Sequence, residues 1–236
     1  MNNQSISGWG LWTVLLAAAG AFALTMGVRQ SMGLFLSPLN TATGLGLGSI
    51  SLAFAFGQLC WGLTQPFAGA IADKLGAGRV LIVGVLLVTA GTVLTPLMTT
   101  TAGLIFSIGV LSAGGAGMAG PAVLMAATSR LIAPERRGMA TGIVNAGGSF
   151  GQFVMAPIAG ALSAGIGWAG AIQVMGLMVL LALPAAYILN SPRPAGTATS
   201  GKTIGAGEAV KAALQHPGFR LLAAGFVNHP RAERMD

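Results

Sequence analysis

The sequence predicts an all-α integral membrane protein with six transmembrane helices. Of the 236 residues, 54% are hydrophobic and only 7% are charged, and the mean hydropathy is +0.78. A soluble domain carries about 25% charged residues, so this chain has too little charge to cover a surface exposed to water. Its apolar residues also form separate runs of the roughly 20 residues that a helix needs to cross a bilayer.

The predicted bundle occupies residues 11–189, behind a cytosolic N-terminal tail of residues 1–10. The tail contains no Lys or Arg and so lacks the basic region of a cleaved signal peptide. The six predicted spans are Leu11–Leu36, Ser49–Ala72, Val80–Met98, Gly103–Thr128, Gly138–Leu162 and Trp168–Leu189.

Charged residues concentrate in alternate connections between these spans. Three connections carry no charge: Ser37–Gly48, Thr99–Ala102 and Ser163–Gly167. The other two carry Asp73, Lys74, Arg79, Arg130, Glu135, Arg136 and Arg137. Because Lys and Arg retain loops in the cytosol, we expect both termini on the cytosolic side of a bacterial cytoplasmic (inner) membrane.

The last part of the chain changes in composition. Residues 190–217, rich in Pro, Gly, Ala, Thr and Ser, are expected to form a flexible cytosolic linker. Residues 218–236 contain the apolar run F-R-L-L-A-A-G-F-V and then a polar end. About nine apolar residues cannot cross roughly 30 Å of hydrocarbon. We expect the truncated start of a seventh helix, with an aberrant amphipathic tail as the alternative.

Several classes of function are disfavoured by the residue types and their placement. The net charge is +7, but the basic residues form no stripe interleaved with aromatics, so no nucleic-acid partner is expected. The single cysteine, Cys60, lies in an apolar run, and His216 and His229 lie in the linker and the tail, so no metal site is expected. No catalytic constellation is evident, and we expect neither enzymatic activity nor a cofactor.

The connection after the second predicted span carries a motif. It reads G-A-I-A-D-K-L-G-A-G-R and resembles the signature loop of the major facilitator superfamily, with matching positions at Gly69, Asp73, Lys74, Gly76 and Arg79. We expect Gly69 to allow two helices to approach closely and Gly76 to permit a tight turn. Asp73 is expected to pair with Arg79 or to lie at a positive helix N-terminus. The alternative is an ordinary basic loop with two turn glycines.

Further segments support the same resemblance. The connection P-E-R-R-G-M-A-T-G, Pro134–Gly142, is similar to the loop between spans four and five of many members, and A-P-I-A-G, Ala156–Gly160, partly matches a fifth-span signature. The end of the first span, Gly27–Leu36, resembles bacterial members of the monocarboxylate and oxalate/formate branch. The resemblance covers about residues 10–190. It implies half of the family's fold, with two inverted three-helix repeats.

Arg29 is the only charged residue placed within a predicted span. An intramembrane charge costs about 2.5–3.5 kcal/mol on insertion scales and marks a functional site by default. A guanidinium binds a carboxylate in a bidentate fork, so we predict that Arg29 binds an anionic substrate. The alternative is that its side chain snorkels to the membrane surface.

Two polar stripes complete the predicted substrate-binding set. Gln58 and Gln65 are seven residues apart in span two, and Asn145, Ser149 and Gln152 follow i, i+4, i+7 spacing in span five. We predict that both stripes line a cavity. Hydrogen bonding between helices is the alternative.

Together these features predict secondary transport of a small solute, an organic anion such as a monocarboxylate, by alternating access. The motif residues from Gly69 to Arg79 would form a cytosolic gate loop. The expected partners are the lipid bilayer, the anionic substrate and a missing C-terminal half or a second copy. The alternative is a truncated fragment without independent transport. A third reading, a six-span permease subunit driven by a separate ATPase, is disfavoured by the gate-loop motif, which resembles that of the facilitators.

Overall fold

A computed structural model of the chain describes residues 8–189, which are helical apart from short connections. Five segments are long and apolar enough to cross a membrane: Gly10–Thr43, Leu47–Leu75, Ala77–Leu97, Thr101–Leu131 and Pro134–Ile188. No strand occurs between residues 8 and 189. The prediction of an all-α membrane fold is therefore confirmed, whereas the count of six spans and the repeat arrangement stay predictions.

The described helices follow one another closely. They are α1 (Gly8–Ser31), α2 (Leu36–Thr43), α3 (Leu47–Leu75), α4 (Ala77–Leu94), α5 (Thr101–Leu104), α6 (Gly114–Met118), α7 (Pro121–Leu131), α8 (Arg137–Met178) and α9 (Leu183–Ile188). A π-helix, Ile105–Ala113, joins α5 to α6. Turns of 3-10 helix occupy Met32–Phe35, Thr95–Leu97, Pro134–Arg136 and Val179–Ala182.

The first span-length segment is longer than predicted. It continues through α2 to Thr43, so the predicted connection Ser37–Gly48 shrinks to residues 44–46. Pro38 lies in the first turn of α2, directly after the 3-10 turn Met32–Phe35, and proline is tolerated in the first turn of an α-helix. Gly44 and Gly46 form the turn with φ of 66° and 83°, a region that residues with a Cβ rarely adopt.

The fifth and sixth predicted spans form one helical segment of 55 residues, Pro134–Ile188. Gly167 interrupts α8 with a non-helical backbone, φ 76° and ψ 165°, and kinks the chain there. The predicted connection Ser163–Gly167 is therefore wrong in extent, because the helix continues up to this single glycine.

Glycines bring the backbones of the bundle into direct contact along two seams. In the α1–α8 seam, a Cβ added to Gly147 would lie 2.5 Å from the carbonyl oxygen of Ala19, and one added to Gly27 would lie 2.6 Å from that of Gly151. In the α4–α6 seam, a Cβ added to Gly84 would lie 2.8 Å from the carbonyl oxygen of Gly115. Such approach is typical of helices that associate in lipid.

The outside of the bundle is apolar. Large hydrophobic side chains are exposed on the first, second and last segments, among them Leu16, Leu63, Phe67, Phe153 and Tyr187. A water-soluble monomer rarely exposes apolar patches of this kind, whereas hydrocarbon solvates them. The linker and tail predicted for residues 190–236, and residues 1–7 of the predicted N-terminal tail, lie outside the described residues.

Candidate functional site

Arg29 of α1 turns its guanidinium toward α3. Its Nη2 donates a hydrogen bond to Oε1 of Gln58, and its Cζ lies 4.7 Å from the ring centroid of Trp61. Its Nη1 lies 3.3 Å from Oε1 of Gln30 and 3.9 Å from Sδ of Met26. Every recorded partner of this cation between residues 8 and 189 is therefore electrically neutral.

Arg29 lies inside the helical segment Gly10–Thr43 and not at either of its ends. The helical path from Arg29 continues to Thr43, about 20 Å farther at 1.5 Å per residue. The contacts with Gln58 and Trp61 direct the side chain across to a neighbouring helix rather than along α1 toward a membrane surface. These contacts orient the guanidinium toward α3, and the choice between a substrate-binding and a snorkelling Arg29 stays a prediction.

A cleft enclosing about 540 Å³, including the space open to solvent, begins at Arg29. Three elements form it: the first membrane segment, α3 and the π-helix. It is lined by Arg29, Gln30, Met32, Phe54, Ala55, Gly57, Gln58, Ile108, Ser112 and Ala113. One wall is therefore cationic and amide-rich, and most of the remainder is apolar.

Two pairs of hydroxyl side chains connect the π-helix with the end of α4. The Oγ1 of Thr92 lies 3.2 Å from Oγ of Ser112, and the Oγ1 of Thr95 lies 3.4 Å from Oγ of Ser107. All four residues are buried, and only Ser112 lines the cleft. Sequence reasoning missed both pairs, because Ser107 and Ser112 are five residues apart and an α-helix would place them on different faces.

The structure brings together two of the six predicted substrate-binding residues, Arg29 and Gln58. Gln65, Asn145, Ser149 and Gln152 are not among the residues that line the cleft. The Nε2 of Gln152 lies 3.4 Å from the carbonyl oxygen of Gly148, a bond within its own helix. The cavity-lining role of the span-five residues stays a prediction.

The predicted gate loop lies where α3 meets α4. Gly76 takes φ 97° between these helices, so the tight turn is confirmed. Asp73 accepts a hydrogen bond from the guanidinium of Arg130 at the end of α7. Lys74 and Arg79 are exposed. The expected close approach at Gly69 is wrong for residues 8–189, because a Cβ added there meets no heavy atom within 4 Å.

Residues 190–236 contain one pattern that bears on nucleotide binding. Gly196–Thr203 reads G-T-A-T-S-G-K-T, which fits the spacing of a phosphate-binding loop. Such a loop follows a β-strand and opens a helix, whereas the last described element before it is the helix α9. The pattern lies outside the described residues and supports no nucleotide site. Residues 8–189 contain no group of three His, Cys, Asp or Glu side chains that could hold a metal.

Comparison with known proteins places these features in a family. The sequence profile of the Major Facilitator Superfamily matches residues 8–229. Monocarboxylate transporter 13 of Rattus norvegicus is 30% identical over 73% of this chain and 40% of its own length, and the Bos taurus protein of that name is 28% identical over 90% and 48%. The oxalate:formate antiporter of Oxalobacter formigenes is 25% identical over 78% and 44%.

The chain belongs to the Major Facilitator Superfamily, and its relatives include monocarboxylate transporters and an oxalate:formate antiporter. The sequence analysis inferred a resemblance to this superfamily and, within it, to the monocarboxylate and oxalate/formate branch, and both resemblances are confirmed. The family is one of multi-pass membrane transporters rather than enzymes. The chain spans about half the length of the relatives it matches.

Proposed function

We propose that this member of the Major Facilitator Superfamily takes part in secondary transport of a small organic anion, such as a monocarboxylate, by alternating access. The observation that carries the proposal is the combination of the position of Arg29 at a cleft and the neutral charge of its contacts. This cation borders a cleft formed by three helical elements, and its recorded partners among residues 8–189 are neutral. The names of the relatives, which include monocarboxylate transporters, support the same class of substrate.

The contacts of Arg29 with Gln58 and Trp61 orient its guanidinium to bind a carboxylate. Trp61 holds one face of the guanidinium plane through a cation–π contact. The amide oxygen of Gln58 accepts a hydrogen bond from Nη2 of Arg29. A carboxylate oxygen of the substrate would accept from the same Nη2. Hydrogen bonds between ions are roughly twice as strong as neutral ones, so a substrate carboxylate would displace the amide oxygen.

The proposed topology has six spans with both termini in the cytosol of a bacterial inner membrane. The last segment of 55 residues would measure about 80 Å as a straight helix, more than twice the roughly 30 Å of hydrocarbon. A reversal at Gly167 would divide it into two spans. Six spans in two inverted three-helix repeats would then match half of a transporter in this superfamily.

Alternating access requires two bundles around a shared site. In the proposed carrier, a C-terminal half or a second copy supplies the other wall of the cleft. The loop from Gly69 to Arg79 is proposed as the cytosolic gate. Residues 8–189 place no Asp or Glu within the predicted spans, so any proton-coupling carboxylate would come from the other wall.

Binding and uptake of radiolabelled monocarboxylates test the proposal. The purified chain in lipid nanodiscs is expected to bind pyruvate, and Arg29→Ala to weaken binding by roughly 30-fold or more, because a desolvated charge pair loses one partner. Arg29→Lys is expected to recover little, since an ammonium lacks the planar fork. Arg136→Ala removes an exposed basic residue of the Pro134–Arg136 turn as the matched control.

Uptake then distinguishes a transporter from a fragment. Liposomes containing the chain alone are expected to show no concentrative uptake, whereas a version completed with a second six-span half is expected to accumulate the anion. Unchanged pyruvate binding by Arg29→Ala would contradict the proposed site. Concentrative uptake by the chain alone would contradict the need for a second bundle.

A further inference from the structure

The two buried hydroxyl pairs that join the π-helix to the end of α4 differ in the acceptors available to their hydroxyl protons. In the pair away from the cleft, Thr95 donates to the carbonyl oxygen of Gly91 at 2.8 Å, and Ser107 donates to that of Leu104 at 3.4 Å. Both protons therefore have acceptors on the backbone. In the pair at the cleft, the recorded partners of Thr92 and Ser112 among residues 8–189 are only each other.

Of the two hydroxyl protons of Thr92 and Ser112, one has no acceptor recorded among residues 8–189 and is available to a ligand. Thr92 has no exposed surface, so its hydroxyl must donate to Ser112 or lose its hydrogen bond in the interior. When Thr92 donates, Ser112 accepts with a lone pair and keeps its own proton free. Ser112 is one of the residues that line the cleft beginning at Arg29, so a ligand in that cleft would lie next to the residue that holds this proton.

The rest of the cleft defines what this donor can recognise. Apart from Arg29, Ser112 and the amides of Gln30 and Gln58, the lining is apolar. The amides lie beside the guanidinium, on the first segment and on α3, whereas Ser112 lies on the π-helix. A ligand that satisfies both walls needs a carboxylate and a separate acceptor oxygen.

We propose that Ser112 is a specificity-determining residue that selects short carboxylates bearing an oxo or hydroxy oxygen on the carbon next to the carboxylate. The inference rests on the proposed function, because it assumes that the carboxylate binds Arg29. The Ser112 hydroxyl donates to the second oxygen of the ligand while it accepts from Thr92. An acid without that oxygen leaves the buried donor unpaired, and discrimination arises from that loss.

Pyruvate and propionate are the matched probes, because they differ in the 2-oxo oxygen. The experiment measures equilibrium binding of each radiolabelled acid to the purified chain in nanodiscs. The wild-type chain is expected to prefer pyruvate by about 3- to 10-fold, the worth of one hydrogen bond. Ser112→Ala is expected to abolish that preference while propionate binding persists, which shows that the variant is folded.

Ser107→Ala is the control, since it removes a hydroxyl from the same helix and the same interface but away from the cleft. It is expected to retain the preference for pyruvate. If Ser112→Ala binds neither acid, Ser112→Cys decides, because a thiol is a weak donor of similar shape: a reduced preference for pyruvate supports the inference, and an unchanged preference overturns it.

The results separate this inference from the proposed function. A wild-type chain that binds neither acid would contradict the proposed anion site itself. Binding of both acids with a ratio that Ser112→Ala leaves unchanged would overturn the role of Ser112 alone, as would loss of the preference in Ser107→Ala.

Discussion

The carboxylate of Asp73 at the end of α3 accepts a hydrogen bond from the guanidinium of Arg130 at the end of α7. The two residues are 57 positions apart in the chain. Their ion pair therefore fastens the end of the second membrane segment to the end of the fourth. Both side chains are about half exposed, at 60% and 49% of their surface, so solvent weakens the attraction.

We predict that Asp73→Asn and Arg130→Ala each lower the free energy of unfolding by less than about 1 kcal/mol, as for other exposed ion pairs. Thermal unfolding of the purified protein in detergent measures the change. The exchanged double variant, Asp73→Arg with Arg130→Asp, is expected to regain what the single variants lose. A loss of several kcal/mol in either single variant would be inconsistent with an exposed pair.

Gly151→Ala is predicted to destabilise the bundle strongly. The new methyl group would overlap the backbone of Ala23, because α1 and α8 are in contact there. Forcing extra atoms into a packed interface costs typically about 1–3 kcal/mol. The matched control is Gly160→Ala in the same helix, where a Cβ meets nothing within 4 Å. The control is expected to be neutral or stabilising, and equal melting temperatures for the two variants would contradict the seam.

Trp61 is predicted to strengthen anion binding through Arg29. Trp61→Leu removes the aromatic face that holds the guanidinium, and pyruvate binding is expected to weaken by about 3- to 10-fold, the worth of a partly buried cation–π contact. Trp61→Phe keeps a weaker aromatic face and is expected to fall between wild type and Trp61→Leu. Equal affinities for all three proteins would show that the stacking contributes nothing to binding.

The proposed topology predicts which positions react with a membrane-impermeant thiol reagent in intact cells. In a Cys60→Ala background, Thr41→Cys and Gly165→Cys are expected to react from outside, whereas Glu135→Cys is expected to react only after permeabilisation. All three positions are exposed in the bundle. Reaction at Glu135→Cys in intact cells, without reaction at the other two, would reverse the proposed orientation.

The contacts of Arg29 show why the sequence predicted only part of the site. Gln58 and Gln65 share a face of α3, as their spacing predicted. Seven residues also separate them by about 10 Å along the helix axis, so only Gln58 lies at the depth of Arg29. Periodicity gives the direction of a side chain around its own helix but not the height at which a neighbouring helix meets it.

Close packing between helices explains two other differences. Ser112 reaches Thr92 of α4, and Ser107 reaches Thr95 directly after it, because the helix is of the π type there, with hydrogen bonds from i to i+5. The polar stripe at Asn145 and Ser149 lies about 200° around α8 from Gly147 and Gly151, the glycines that contact α1. Neither the change of helix type nor the choice of contacting face follows from residue spacing alone.

The sequence by itself determined that the chain is an all-α membrane protein, the approximate positions of its first four spans, its family, and the position of Arg29 as the single charged residue within the predicted spans. These properties depend on composition, on the length of apolar runs and on short motifs, all of which are local. Only the tertiary structure decided that Gln58 and Trp61 contact Arg29 and that Ser112 lines the same cleft. It also decided that Asp73 pairs with Arg130, and that a Cβ added at Gly69 meets no heavy atom within 4 Å among the described residues. The reason is that each contact depends on the relative height and rotation of two helices, which the packing of the whole bundle sets.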